Sequence, residues 1–315
     1  MSTAERTTEA SATDVRGRTH RDTLEVRGKP RTYLGMARRR FQRNKMAMAG
    51  LLVFVTMVVI ALGAGLISQY ITGFEPQRQN LRAQFTSVGQ DGYILGADEF
   101  GRDILTRLAY GARVSLGVAG LSVVVALVIG TAIGTSAGYF GRWVDSVMMR
   151  FVDVMLSIPT LFLLLLVASM WRLGPVRLAF VIAAVAWVTL SRLVRGEVMS
   201  VKGRDYVEAA RVVGANNLRI MTRHILPNVT PVIIVWGSLI VPGLILLEAT
   251  LSFLGLGVQP PTASWGNMLT QAQRNWSHSW LLVFLPGFAI YITVFAINLV
   301  GSGLRDALDP RLGDR

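Results

Sequence analysis

The chain has 315 residues, 52% hydrophobic and only 16% charged, with a mean hydropathy of +0.46; a soluble domain carries about 25% charged residues, so this is the composition of a membrane protein. Cysteine is absent, which excludes disulfides, thiol chemistry and cysteine-held metals, and the three histidines (His20, His224, His278) show no ligand spacing. A net charge of +13 would suggest nucleic acid only if it gathered on a soluble face, and it does not.

Residues 1–32 are rich in Ser, Thr, Arg and Glu and poor in aromatics, which predicts a disordered basic tail. Residues 33–315 read as one helical domain without an internal repeat. A helix needs about 20 mainly apolar residues to cross the hydrocarbon. Six stretches qualify, at about 46–68, 112–139, 148–171, 177–195, 228–250 and 280–303. The first is too long, and too far from the start, to be a secretion signal. Asp145, Arg150 and Asp153 crowd the entrance to the third. The fourth is short and needs Arg177 and Arg192 to snorkel to the interfaces. An all-α membrane protein follows.

Charge sets the expected orientation. Residues 1–45 hold twelve Lys/Arg against five Asp/Glu, which places the N-terminus in the cytoplasm. Six spans then return the C-terminus to the same side. The loops agree: residues 69–104 carry five acids and three arginines, and should be outside. Residues 192–223 carry seven Lys/Arg and three acids, and should be inside. The basic excess is therefore topological. Anionic membrane lipids are its expected partner, and nucleic acid is not.

One internal loop does not look like a simple connection. In "DYVEAARVVGANNLRIMTRHILPN" (205–228), Asp205 suits a helix N-cap and Glu208 the third helical position. Val207, Ala210 and Gly214 fall on one small, flat face. Gly214 suits a left-handed helix end, and Asn216 or Asn217 the next cap. A second short helix is expected over 218–224, stopped by Leu226-Pro227. An interfacial linker would share much of this pattern.

Glu208-Ala209-Ala210, Gly214 and Leu226-Pro227 resemble the EAA motif of binding-protein-dependent ABC import permeases. "RNKMAMAGL", "GADEFGRDILTRLAYGARVSL" (96–116), "EATLSFLGLGVQPPTASWGNML" (248–269) and "NLVGSGLRDALDPRL" (298–312) are similar to the C-type transmembrane subunit of dipeptide and oligopeptide importers, in the same order. The resemblance covers most of the chain. It implies the type I ABC importer architecture in a bacterial or archaeal cytoplasmic membrane, with loop 203–223 as a coupling element seated in an ATPase subunit. Asp205, Glu208, Ala209, Ala210, Gly214, Arg219, Leu226 and Pro227 are the implied coupling residues. Implied partners are a second, homologous permease subunit, two ATP-binding subunits or domains, and an external substrate-binding protein. The same architecture also serves nickel chelates and glutathione in related systems.

Glu248, Phe253 and Trp265 are candidates for the outer gate or for contact with the binding protein. An intramembrane acid is a functional candidate in its own right, although Glu248 also reads as an interfacial acid bonded to broken backbone near Gly255 and Gly257. Pro159, Pro242 and Pro286 lie within spans, and Gly130, Gly134 and Gly138 form a small-residue ladder suited to close helix packing. No catalytic residue, metal ligand or cofactor site is expected. "RGKP" (27–30) lacks the glycine and the Ser/Thr of a phosphate loop, so ATP and Mg would belong to partner subunits. A membrane-embedded hydrolase would need a nucleophile–base pair or matched carboxylates at one depth. Asp153 and Glu248 are expected at opposite sides, and no histidine falls in a span.

Overall fold

The computed structural model describes residues 33–309, so the expected tail at 1–32 lies outside the described residues. Helix α1 (Tyr33–Arg43) turns at Asn44 into α2 (Lys45–Leu62), and the Asn44 side chain caps α2 by accepting from Ala47 N at 3.1 Å. The chain continues through Ala64–Leu66 and a π-helical turn, Ile67–Thr72. An irregular segment follows, centred on buried Ala83, Tyr93 and Ala97, with Phe74 stacked on Tyr93 at 4.4 Å. Asp103 then caps α3 (Ile104–Phe140), its Oδ2 accepting from the amide and the hydroxyl of Thr106, both at 2.7 Å.

The remaining elements are α4 (Arg142–Ser157), α5 (Thr160–Met170), α6 (Pro175–Lys202), α7 (Asp205–Val212), α8 (Asn217–Ile220), α9 (Leu226–Phe253), α10 (Trp265–Asn275) and α11 (Leu281–Leu308). Among the described residues no strand forms, and one isolated bridge joins Ala97 to Asp103. Five helical stretches among the described residues are long and apolar enough to cross a membrane: α2, α3, α6, α9 with its lead-in from Asn217, and α11. A sixth exists only if α4 and α5 are counted together.

That pair corrects the third expected span. The stretch at 148–171 is not one rod, because α4 and α5 diverge by 83°. Ile158 is extended (φ −92°, ψ 125°), the conformation favoured before a proline, and Pro159 has no N–H with which to continue the ladder. Hydropathy does not reveal the break, because the two helices taken together still pass as one apolar stretch. The fourth span differs in the other direction, being a helix of 28 residues. Arg192 pairs with Asp153, both about half exposed, while Arg195 reaches Asp145, with Nη2 donating to Oδ2 at 2.6 Å. The two aspartates of α4, Asp145 and Asp153, are thus the counter-ions of Arg195 and Arg192 on α6.

Packing centres on α3 against α6. A Cβ added at Gly130, Gly134 or Gly138 would lie 2.9, 2.5 or 2.8 Å from the carbonyl oxygens of Trp187, Ser191 and Arg195. Three glycines one turn apart therefore let two backbones meet along about 12 Å of helix. Ser122 Oγ reaches across the same seam to Ala179 O at 2.9 Å. Around it, Leu164, Ile182, Ile245, Leu251 and Ile297 join α5, α6, α9 and α11 into one core.

Gly134→Val should force this seam apart, with a loss of about 1–3 kcal/mol, the usual range for overpacking. Gly120→Ala, on the same helix with open space around the new methyl, should leave stability unchanged. Thermal midpoints of the purified variants in detergent check the contrast.

Candidate functional site

Two constructions stand at opposite ends of α9. The first is the knob formed by α7 and α8. Val207 is fully buried and anchors it, packing with Ile220, Ile225 and Val229 on Val198 and Val201 of α6. Tyr139, at the end of α3, donates its hydroxyl to Asn217 Oδ1 at 2.8 Å, and Lys202 Nζ donates to Tyr139 O. Gly214 sits at φ +89°, a left-handed conformation that costs glycine little. Asn216 caps α8 by accepting from Arg219 N at 2.8 Å.

Three expectations about this loop need correction. Asp205 is the first helical residue and not the cap; Arg204 holds the cap position without a side-chain bond. Asp205 and Glu208 are exposed in the first turn of α7, where their charge favours the helix dipole. Leu226-Pro227 does not end the second helix. A π-helical turn, Met221–Ile225, widens the ladder ahead of Pro227, and the helix runs continuously from Asn217 to Phe253. Lastly, Val207, Ala210 and Gly214 are not a common contact face, since Val207 is the buried anchor and Gly214 is exposed. What the knob presents is Val212 at 87% exposure, Val213 at 88% and Leu218 at 68%. Ala209, Arg219 and Pro227 are exposed beside them, and Ala210 and Leu226 are half-buried. Periodicity assigns such apolar residues to a core, which is why the sequence reading passed over them.

The second construction closes the far end of α9. Glu248 is fully buried, and its carboxylate accepts from Ser115 Oγ of α3 and from Ser252 Oγ, each at 2.8 Å. Ser115 Oγ in turn accepts from Trp265 N at 3.3 Å, and Ser252 Oγ from Val258 N at 3.0 Å. One carboxylate therefore joins α3, α9 and the turn that leads into α10. Ser264 and Asn267 form a reciprocal capping box at the start of α10, and Asn267 Nδ2 also donates to Val258 O and Thr262 O. Trp265 is buried and donates Nε1–H to Leu108 O at 3.1 Å.

The expected role of these residues in meeting an external protein is thereby revised. Glu248 and Trp265 are inside the bundle and offer no contact surface, while Phe253 is 38% exposed. Nor is Glu248 an interfacial acid leaning on backbone near Gly255 and Gly257; two serine hydroxyls hold it. The sequence reading missed Ser115 entirely. Its signal is faint, a single hydroxyl 133 positions away from its acid.

Next to this closure, Asp98 is the hub of a buried cluster. Its Oδ1 accepts from the amides of Phe100 and Arg102, and its Oδ2 meets Arg102 at 2.7 Å and Arg107 at 3.4 Å. These charges hold the irregular segment against α3. Among the described residues no group of His, Asp and Glu is arranged to hold a metal ion.

Several apolar helices, a rigid exposed knob at one end and a hydroxyl-stapled closure at the other define a multi-pass membrane protein built like a transport permease. Residues 130–314 match the family described as the binding-protein-dependent transport system inner membrane component, and residues 32–85 match the N-terminal transmembrane domain of oligopeptide transport permease C. The chain belongs to this binding-protein-dependent ABC permease family, within the group of peptide-transport C subunits. It is 39% identical to the oligopeptide transport system permease protein OppC of Haemophilus influenzae over 277 residues, covering 87% of this chain and 88% of that protein. Identity with the dipeptide transport system permease protein DppC of Bacillus subtilis is 38% over 294 residues, with 93% and 90% covered. With the di/tripeptide transport system permease protein DppC of Pseudomonas aeruginosa it is 41% over 277 residues, with 86% and 90% covered.

Glu248→Ala should cost about 2–4 kcal/mol, by removing a buried acceptor from two hydroxyls and leaving a cavity. Glu248→Gln keeps the volume and an acceptor, and should retain most of the stability. Thermal unfolding of both variants decides between a hydrogen-bonded staple and a residue of no structural weight.

Proposed function

We propose that this chain is the C-type transmembrane subunit of an ATP-driven importer of di- and oligopeptides in the cytoplasmic membrane of a bacterium or archaeon. Its partners are a second, homologous permease subunit, two ATP-binding subunits or domains, and an external peptide-binding protein. The observation that carries this reading is the knob: Val212, Val213 and Leu218 stand in solvent on a base that is itself rigidly buried. Exposed apolar groups on a preformed support are what a soluble partner's cleft would cover. Glu208, Arg219 and the small residues Ala209 and Ala210 frame that contact, and Gly214 lets the chain turn tightly between the two helices. The names of the relatives support peptides as cargo.

In this reading ATP and Mg act in the partner subunits, and the chain contributes no catalytic group. When the two ATPases close, they carry the knobs of the two permease subunits toward each other. Each knob is continuous with α9, so its movement reaches the closure around Glu248, where the pathway opens to the outside. Hydrolysis restores the resting arrangement. The basic stretch before α2 holds the N-terminus on the cytoplasmic side, together with the knob.

Two measurements test this. Val213→Asp combined with Leu218→Asp should reduce copurification of the ATPase subunits and lower binding-protein-stimulated ATP turnover at least about tenfold, as expected when an apolar contact is replaced by desolvated charge. Pairing with the second permease should be retained; unchanged turnover would overturn the coupling role. Because the natural chain has no cysteine, a cysteine placed at Leu218 should react with an impermeant maleimide only from the cytoplasmic side, and one at Gln79 only from outside. The reverse pattern would invert the topology.

A further inference from the structure

A cavity of about 480 Å³ opens between the irregular segment, the turn that follows α9, and α10. Its volume falls within the roughly 300–1,000 Å³ usual for small-ligand sites. The charged residues on its wall are Glu99, Arg102 and Arg274.

Arg102 is 3% exposed, and its guanidinium carbon lies over the Phe100 ring, 4.6 Å from the centroid. Nε donates to Asp98 Oδ2 at 2.7 Å, and Nη2 donates to Gln271 Oε1 at 2.9 Å while lying 2.7 Å from the same Asp98 oxygen. Among the described residues no acceptor is bonded to Nη1. Buried Arg107 draws on the same two acceptors, reaching Asp98 Oδ2 at 3.4 Å and Gln271 Oε1 at 3.3 Å. Arg107 Nη1 also donates to Pro76 O at 3.4 Å, so the two guanidiniums draw on one carboxylate oxygen, one amide oxygen and one backbone carbonyl. Glu99 is the acid on the wall, and its Oε2 already accepts from Asn275 Nδ2. Arg274 brings a further, exposed cation to the rim. The arginines have more donors than the protein's own acceptors fill, which favours an added carboxylate with two oxygens to offer.

We propose that this cavity is a reception site for the C-terminal carboxylate of a short peptide, held by Arg102 Nη1 and Arg274, before the peptide passes into the bundle. Glu99, on the same wall, offers the opposite charge to the peptide's ammonium end. This rests on the peptide-import reading above, and it adds to that reading a point of recognition in the permease itself.

The test uses the complete complex with its partner subunits, the latter made cysteine-free, in lipid nanodiscs without the binding protein. Gln79, exposed on the cavity wall, is replaced by cysteine and labelled with an environment-sensitive dye. Trialanine, trialanine amide and inorganic phosphate are titrated separately. Trialanine should give a saturable signal, and its amide should bind about tenfold more weakly, the loss expected when a charged acceptor is removed. Arg274→Gln should weaken trialanine severalfold without changing the amide, and Arg102→Lys, which keeps the charge but loses the fork, should do the same. Arg274 is exposed, so its variant reports even if the buried Arg102 variant fails to fold. Equal binding of acid and amide, an unaltered titration in Arg274→Gln, or phosphate binding as well as trialanine would overturn the proposal. Stimulation of ATP turnover by peptide-loaded binding protein is measured on the same samples. Stimulation without a cavity signal would remove the reception site and leave the importer reading standing. A cavity signal without stimulation would do the reverse.

Discussion

The contact on which the structure depends is the meeting of two helix backbones along Gly130, Gly134 and Gly138. In hydrocarbon there is no apolar driving force to push helices together, so close packing has to supply the attraction. The three glycines bring α3 against the carbonyls of α6 with no side chain between them. Each working end is fastened to this pair. The knob is rooted on Val198 and Val201 of α6 and tied to Tyr139 of α3. The closure is fastened through Ser115 and Leu108, both of α3. Two sites at opposite ends of the molecule therefore share one stiff support.

Polar groups within the bundle follow the same economy. An unmet hydrogen-bonding group in hydrocarbon costs several kcal/mol, and several such groups here are used to join elements. Ser122 links α3 to α6, Glu248 links α3 and α9 to the turn before α10, and Asp145 and Asp153 answer Arg195 and Arg192 of α6. Each pairing fixes register as well as energy, since a shift of one residue would leave both members exposed to the wrong medium.

What the sequence disclosed, and what it withheld, follows from the range of each interaction. Helices of about 20 apolar residues, the left-handed Gly214 and the small-residue ladder are local patterns, and they were legible. The break at Ile158-Pro159 was not, because a proline in an apolar run is compatible with either a kinked helix or two helices, and neighbouring structure decides. Pro227 gave the opposite error: it looked like a stop, yet a π-helical turn absorbed it. The partners of Glu248 and the shared acceptors of Arg102 and Arg107 lie on distant segments, and no spacing rule points to them. At the knob the residue types were visible but their direction was not. Val207 turned inward and Val212 and Val213 outward, a distinction that depends on where α6 passes.

The continuity of Asn217–Phe253 has one more implication. Thirty-seven residues of helix form a bar of about 55 Å, with one end in the knob and the other carrying Glu248 and Ser252. An unbroken helix carries a rotation at one end to the other, and its π-helical turn at Met221–Ile225 is one place where part of that motion can be taken up as bending. Pro231 and Pro242 lie along its length without ending it, each removing a ladder hydrogen bond and so adding compliance at its own turn. Timing across the membrane would then be governed by stiffness: a softer bar would let one face move before the other, and a rigid one obliges both to move in the same instant.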